Sequence, residues 1–127
     1  IVLMGGDALG SSEFAAAAGD AATGTLFTGF TDWRTAPAAA KVAAALSAEG
    51  TEPRNFVLPS YAAVQLFAAA RAATGSDKGG DLAGWLGSHS VDTVIGPVAF
   101  DAKGDAKLSG FTVYRWDGDS YAPLPGS

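Results

Sequence analysis

The sequence predicts an α/β fold, and three observations support this prediction. Short β-branched and aromatic runs alternate with alanine-rich helical segments early in the chain, which is typical of α/β architecture. Hydrophobic residues make up 48% of the 127 residues and charged residues only 17%, as expected for a globular protein with a sizeable core. The last part alternates apolar and polar residues, which predicts a β-rich C-terminal tail.

The first elements follow from the opening residues "IVLMGGD". Four large apolar residues at positions 1–4 predict a buried strand, which ends at two glycines and Asp7. Ser11 or Ser12 is the expected N-cap of a short helix that stops at Gly19. "TLFTGF" at 25–30 predicts a second strand. Because a chain rarely starts inside its own core, this opening also predicts that the sequence is part of something larger.

Two helices are expected in the middle of the chain. The first runs from about Ala36 to Glu49, with Gly50 directly after its end. The second follows an extended approach at residues 56–58, with Ser60 as N-cap after Pro59, and continues to about residue 74. Its broad apolar surface predicts burial on most sides; the residues concerned are Tyr61, Val64, Leu66, Phe67 and Ala68.

The remaining elements are short. "LAGWLGSHS" predicts a helix, and residues 91–100 an extended stretch that bends at "IGP". "FDAKGD" predicts a turn in which Asp101 and Gly104 have Asx-turn chemistry. "GFTVYRW" predicts a strand, and "DGD" at Asp117 a turn that returns the chain as a hairpin through "SYAPL".

Composition excludes several classes of function. A net charge of −5 with a pI near 4.5 argues against a nucleic-acid partner, because phosphate binding needs a basic surface. No apolar run is long enough to span a membrane. With no cysteine and a single histidine, His89, the chain lacks thiolate chemistry, cysteine or multi-histidine metal sites and most of the usual proton-transfer residues.

Few residues are candidates for a site. Asp7 follows a predicted strand, at the sheet end where open α/β proteins bind ligands, and Gly5 and Gly6 would let a ligand approach the backbone. The alternative role for Asp7 is an N-cap or turn carboxylate. His89 is better explained as a helix C-terminal cation or a solvated loop residue than as a catalyst. Asp101 and Asp117 indicate surface turns and not a calcium site, and the three tryptophans indicate core or lobe packing.

Three stretches together resemble one family. "NFVLPSYAAVQLFAAA", "SVDTVIGPVAFDAKGDAK" and "FTVYRWDGDSYAPL" are similar to the C-terminal part of the periplasmic leucine/isoleucine/valine-type solute-binding proteins of ABC importers, and "LMGGDAL…FAAAAGDAATGTLFTG" resembles the segment just upstream. The resemblance implies the last third of a type I periplasmic binding fold, which has two three-layer α/β/α lobes joined by three crossing strands. It assigns residues 1–31 and 111–127 to the second lobe and 32–110 to the first.

The resemblance also implies a site and partners. Asp7 lies where the family has an acidic residue, commonly Glu, that pairs with the ligand ammonium, and Phe56 matches an aromatic of the side-chain pocket. The implied function is binding of a branched-chain or related amino acid for import, with a membrane permease as partner, a periplasmic location, no cofactor, no metal and no catalysis. Either another chain completes the fold or the sequence is a fragment. The alternatives are a ligand-sensing receptor domain of the same fold and an enzyme using Asp7 with His89.

Overall fold

The computed structural model describes residues 1–108 and 110–126. Residues 109 and 127, which fall within the predicted segments 32–110 and 111–127, lie outside the described residues. The chain forms two compact units: one comprises Ile1–Thr31 and the described residues from Gly110 onward, and the other the described residues from Asp32 to Leu108. Among the described residues, no helix is long and apolar enough to cross a membrane.

The described elements are mixed helix and strand, which confirms the α/β prediction. The strands are β1 (Met4–Gly5), β2 (Leu26–Phe30), β3 (Val91–Thr93), β4 (Gly96–Val98), β5 (Phe111–Asp117) and β6 (Ser120–Pro123). The helices are α1 (Ser12–Ala18), α2 (Ala40–Ala48), α3 (Val57–Thr74) and α4 (Gly79–Leu86). Short 3₁₀ helices lie at Asp7–Gly10, Gly19–Ala22, Trp33–Thr35 and Pro37–Ala39.

The first unit is a four-stranded sheet in the order β1-β2-β5-β6. β1 is parallel to β2, and α1 lies in the crossover connection that a parallel pair needs; the other two pairs are antiparallel. Alternate residues of β5 face the core, so that Tyr114 and Trp116 are buried beside Phe27 of β2. The ring of Phe27 stacks on that of Tyr114 at a centroid distance of 5.4 Å. This aromatic cluster is the core of the unit.

The prediction of a buried first strand is wrong. β1 covers only two residues at the edge of the sheet, and residues 1–4 are each more than half exposed. The strand pairs with β2 on one side, starting where the amide of Leu26 donates to the carbonyl of Leu3 at 2.9 Å. Within the part of the chain that is described, the apolar side chains of residues 1–4 therefore lack the close packing of a buried strand.

The second unit is mainly helical. Leu58 and Ala62 of α3 pack with Ala39, which ends a 3₁₀ turn leading into α2, and with Val94 in the turn of the β3–β4 hairpin. The side-chain carbonyl of Gln65 accepts the backbone amide of Val94 at 2.9 Å, which ties α3 to that turn. The extended stretch predicted for residues 91–100 is this short antiparallel hairpin.

Helix α3 differs from its prediction in two ways. It begins at Val57 with Phe56 as N-cap, so Pro59 and Ser60 lie inside the helix. A proline is tolerated there because the first-turn amides have no partner within the helix. The helix is also not buried on most sides, since Tyr61, Val64 and Phe67 are 42%, 67% and 53% exposed.

Candidate functional site

Asp7 lies directly beyond the carboxyl end of the parallel strand β1. It is the first residue of the 3₁₀ helix Asp7–Gly10, and Gly6, in extended conformation, is the cap residue that precedes it. The strand–turn–helix geometry presents the carboxylate at the sheet end where open α/β folds bind ligands. The structure thus agrees with the strand-end position expected from the sequence, although the strand is short and exposed.

The alternative role of Asp7 as an N-cap is excluded by this geometry, because Gly6 occupies that position. The side chain of Asp7 is exposed, and it makes no hydrogen bond or ion pair within the described part of the chain. A carboxylate at the first turn of a helix is favoured by the partial positive charge of the free amides there. Asp7 therefore presents a negative charge that the described residues leave available for a cation.

The turn that carries Asp7 is fixed by its neighbours. Nε1 of Trp116 donates a hydrogen bond to the carbonyl oxygen of Leu9 at 2.7 Å, and Leu9 packs against the aromatic core. The amide of Leu9 donates to the carbonyl of Gly6 at 3.1 Å, which closes the turn. The indole of β5 thereby holds the segment from Gly6 to Leu9 against the sheet.

The two glycines before Asp7 have different roles. A Cβ placed at Gly5 would meet the side chain of Leu9, so the lack of a side chain here leaves space for Leu9. A Cβ placed at Gly6 would meet no atom within 4 Å among the described residues. The space beside Gly6 is therefore open among the described residues, whereas the space beside Gly5 is filled by Leu9.

Phe56 lies at the N-terminus of α3 in the second unit. Its side chain is 56% exposed, and its backbone carbonyl accepts the amide of Ser60 at 2.8 Å. The residue before it, Asn55, has a positive φ of 50°, which turns the chain sharply into the helix. Phe56 and Asp7 therefore belong to different units, and the structure gives each of them an accessible side chain within its own unit.

His89 stabilises the end of α4. Its ring stacks on Trp85 at a centroid distance of 4.3 Å, and Nδ1 lies 2.8 Å from the carbonyl oxygen of Trp85. A carbonyl can only accept, so Nδ1 carries the proton in this contact. This arrangement agrees with the expected helix C-terminal role and assigns the imidazole a structural contact.

The acidic turns at Asp101 and Asp117 are local hydrogen-bonded turns. Oδ1 of Asp101 accepts the amides of Lys103 and Asp105 at 2.8 and 2.9 Å, which confirms the Asx-turn prediction. These backbone hydrogen bonds, led by that of Asp105, lower the pKa of the Asp101 carboxyl. Asp117 ends β5 at the predicted hairpin turn. No group of three potential metal ligands occurs in the residues that the structure describes.

Comparison with known proteins first defines the class of fold. The structure matches a crystal structure of the leucine binding protein LivK from Thermotoga maritima with a TM-score of 0.77 at 24% sequence identity, covering 97% of this chain and 36% of that one. The fold is therefore that of the type I periplasmic binding proteins. No protein-family model matches the sequence.

Sequence comparison then gives the family. The chain is 38% identical over 125 residues to the amino acid binding protein of Pseudomonas aeruginosa, and 38% identical over 115 residues to Leu/Ile/Val-binding protein homolog 1 of Brucella abortus. These matches cover 96% and 90% of this chain but 33% and 31% of the relatives. The chain is thus homologous to part of the leucine/isoleucine/valine-type solute-binding proteins, and it spans about a third of the length of the relatives it matches.

Proposed function

We propose that this chain contributes to the substrate-binding component of an ABC importer and that the ligand is a branched-chain or related amino acid. The relationship to proteins named for amino-acid binding, over nearly the whole chain, carries the proposal. The membrane permease of the importer is the proposed partner, and the periplasm is the proposed location. The names of these relatives are those of binding proteins and not of enzymes.

Asp7 is the proposed partner of the ligand ammonium. Its carboxylate is exposed at a strand end and has no ion-pair partner among the described residues, so it is available to a cationic group. A desolvated ammonium needs such an acceptor, because an unpaired buried charge costs several kcal/mol. Aspartate reaches about one methylene less far than glutamate, which leaves room for a bridging water or a bulkier ligand.

Phe56 is the proposed apolar contact for the ligand side chain. An aliphatic group gains about 25 cal/mol per Å² when it is buried against an apolar wall. More than half of the Phe56 side chain is accessible in its unit, so a contact of this kind is open to it. In this proposal Asp7 recognises the ammonium of an aliphatic amino acid, and Phe56 recognises its side chain.

The lobe assignment is part of the proposal. Residues 1–31 and 111–127 would belong to the second lobe of the complete protein and residues 32–110 to the first. Binding would proceed by closure of the two lobes around the ligand, because only the closed form makes contacts from both sides. This mechanism needs no bond-making chemistry, which suits a chain whose single histidine holds a helix end.

The ligand class can be tested in a single-chain chimera. The chimera joins this chain to the two thirds of the Pseudomonas aeruginosa relative outside the matched region, in the relative's own order. Thermal-shift assays would compare leucine, isoleucine and valine with 4-methylpentanoate, which is leucine without its ammonium. We expect the amino acids to raise the melting temperature and 4-methylpentanoate to have little effect, since only a bound ligand stabilises the folded state. Stabilisation by 4-methylpentanoate equal to that by leucine would contradict an ammonium-binding role.

A further inference from the structure

Arg34 joins two carboxylates that are far apart in the sequence. Its guanidinium donates two hydrogen bonds to the Asp32 carboxylate, from Nε at 2.8 Å and from Nη2 at 2.6 Å. Nη1 donates a third hydrogen bond, to Oε1 of Glu52 at 3.2 Å, and this oxygen also accepts Nε of Arg54 at 3.2 Å. Arg34 therefore links the turn that opens the second unit to a segment 18 positions further along the chain.

The turn that carries Arg34 is anchored in the core of its unit. Trp33 packs against the buried cluster that includes Leu58. The amide of Ala36 donates to the carbonyl of Trp33 at 3.0 Å, and Oδ1 of Asp32 accepts the backbone amide of Arg34 at 3.1 Å. The guanidinium therefore extends from a held backbone, and its planar fork can bind two carboxylates in a fixed geometry.

The segment that begins at Glu52 leads directly into Phe56. The amide of Arg54 donates to the carbonyl of Glu52 at 2.8 Å, and the amide of Val57 donates to the carbonyl of Arg54 at 3.1 Å. Between them, Asn55 is the one non-glycine residue with a positive φ in the part of the chain that the structure describes. Such a backbone conformation persists where the surrounding structure holds it.

The backbone of Phe56 is therefore held from both sides. Leu58, two positions later, is 1% exposed in the core, and the ion pair of Glu52 with Arg34 restrains the turn before it. A contact residue gains affinity when its backbone needs no ordering on binding. We infer that Arg34, through Glu52, is a positioning residue that holds the turn presenting the Phe56 ring to the ligand side chain. The inference rests on the proposed function for the ligand contact of Phe56.

Amide exchange of the chimera tests the restraint without any ligand. The probe is the Val57 amide, whose hydrogen bond to Arg54 closes the turn. Arg34→Met and Glu52→Gln each remove one partner of the ion pair, and we expect either to speed exchange at Val57 about fivefold, the upper range for an exposed pair. Arg71→Met is the matched control, because Arg71 pairs with Asp77 beyond the other end of α3. It should leave this exchange rate unchanged.

Calorimetric titration of the chimera with leucine and with alanine tests the consequence for binding. We expect Arg34→Met to weaken leucine binding about fivefold and alanine binding less than about twofold, because alanine offers only a methyl group to Phe56. In a Phe56→Ala background, Arg34→Met should have no further effect on leucine binding, since the residue that it positions is gone. A merely structural role of Arg34 would weaken both ligands equally.

The possible outcomes separate this inference from the proposed function. If Phe56→Ala weakens leucine binding and Arg34→Met does not, the ligand contact stands and the positioning role is overturned. Equal weakening of leucine and alanine, or an undiminished effect of Arg34→Met in the Phe56→Ala background, would also overturn it. If Phe56→Ala leaves leucine binding unchanged while Arg34→Met speeds exchange at Val57, the restraint of the turn is supported and the proposed ligand contact is contradicted.

Discussion

At the level of single residues, the position of Asp7 depends on contacts made by its neighbours and not by its own side chain. Leu9 packs into the aromatic core, and its carbonyl accepts the indole N–H of Trp116. The carboxylate can therefore remain accessible while the turn that carries it is held in place. A binding residue gains affinity from such pre-organisation, because less ordering is required when the ligand arrives.

The hydrogen bond of Trp116 can be tested with Trp116→Phe. This substitution keeps an aromatic ring but removes the donor to Leu9, at a cost of about 1 kcal/mol. We expect the Leu9 amide to exchange with solvent about fivefold faster, since a loss of that size shifts local opening by this factor. Hydrogen exchange of the chain, followed at single amides, would measure the effect.

Tyr114→Phe is the control for this test. The Tyr114 hydroxyl donates to the carbonyl of Phe30 at 2.6 Å, so its removal also deletes one side-chain donor of β5. Its target, however, is the carbonyl of Phe30 at the end of β2 and not that of Leu9. An increase in Leu9 exchange of the same size in both variants would show that the effect is not specific to the Trp116 contact.

Several residue-scale predictions from the sequence are confirmed because their chemistry is local. The Ser11 side chain accepts the amide of Phe14, Gly50 has a positive φ after α2, and Asp101 closes an Asx turn. Each depends only on residues within a few positions. The contact of Gln65 with Val94 joins positions 29 apart, and no local pattern could have predicted it.

At the level of elements, strand and helix types were predictable, but the burial of β1 and α3 was not. Both were expected to be buried because they are apolar. Burial depends on what packs against an element, and periodicity describes only the element itself. The predicted start of α3 after Pro59 is wrong for a related reason, since a first-turn proline is compatible with more than one helix start.

The turn that opens the second unit contains an ion pair between Arg34 and Asp32. Arg34 forms two hydrogen bonds with the Asp32 carboxylate, at 2.8 and 2.6 Å, and also contacts Glu52. The hydrogen bonds from the Arg34 side chain are the main reason that the pKa of Asp32 is lowered, against a smaller opposing effect of burial. A carboxyl with a lowered folded-state pKa adds stability above its unfolded pKa and loses that contribution as the pH falls through the folded value.

We therefore expect Asp32→Asn to lower the free energy of unfolding at pH 7 by less than about 1 kcal/mol, because the pair is partly exposed and screened by solvent. The difference from the wild type should shrink as the pH falls below the usual Asp pKa of about 3.9 and disappear below the lowered folded-state pKa of Asp32. Urea unfolding of the chimera over this pH range would measure it. Asp119→Asn, in the exposed β5–β6 turn, is the control. A difference that grows as the pH falls would contradict the assignment.

At the level of the whole molecule, the chain has two units, and each has its own core. The first unit is built from segments at both ends of the chain, and the second from the residues between them. The family resemblance was visible in the sequence, because specific stretches such as "DTVIGPVAFDAKGD" occur in order along the chain. The proposed roles of Asp7 and Phe56 came from that resemblance and not from periodicity, which describes only the element that carries each residue.

The proposed pairing of Asp7 with the ligand ammonium can be measured by calorimetric titration of leucine into the chimera and its Asp7→Asn variant. Asparagine keeps the size of the side chain and removes its charge. We expect Asp7→Asn to weaken leucine binding by about 2–5 kcal/mol, as for the loss of one partner of a buried charge pair. Asp20→Asn, an exposed carboxylate in the 3₁₀ helix Gly19–Ala22, should leave the affinity unchanged. An unchanged affinity in Asp7→Asn would contradict the account.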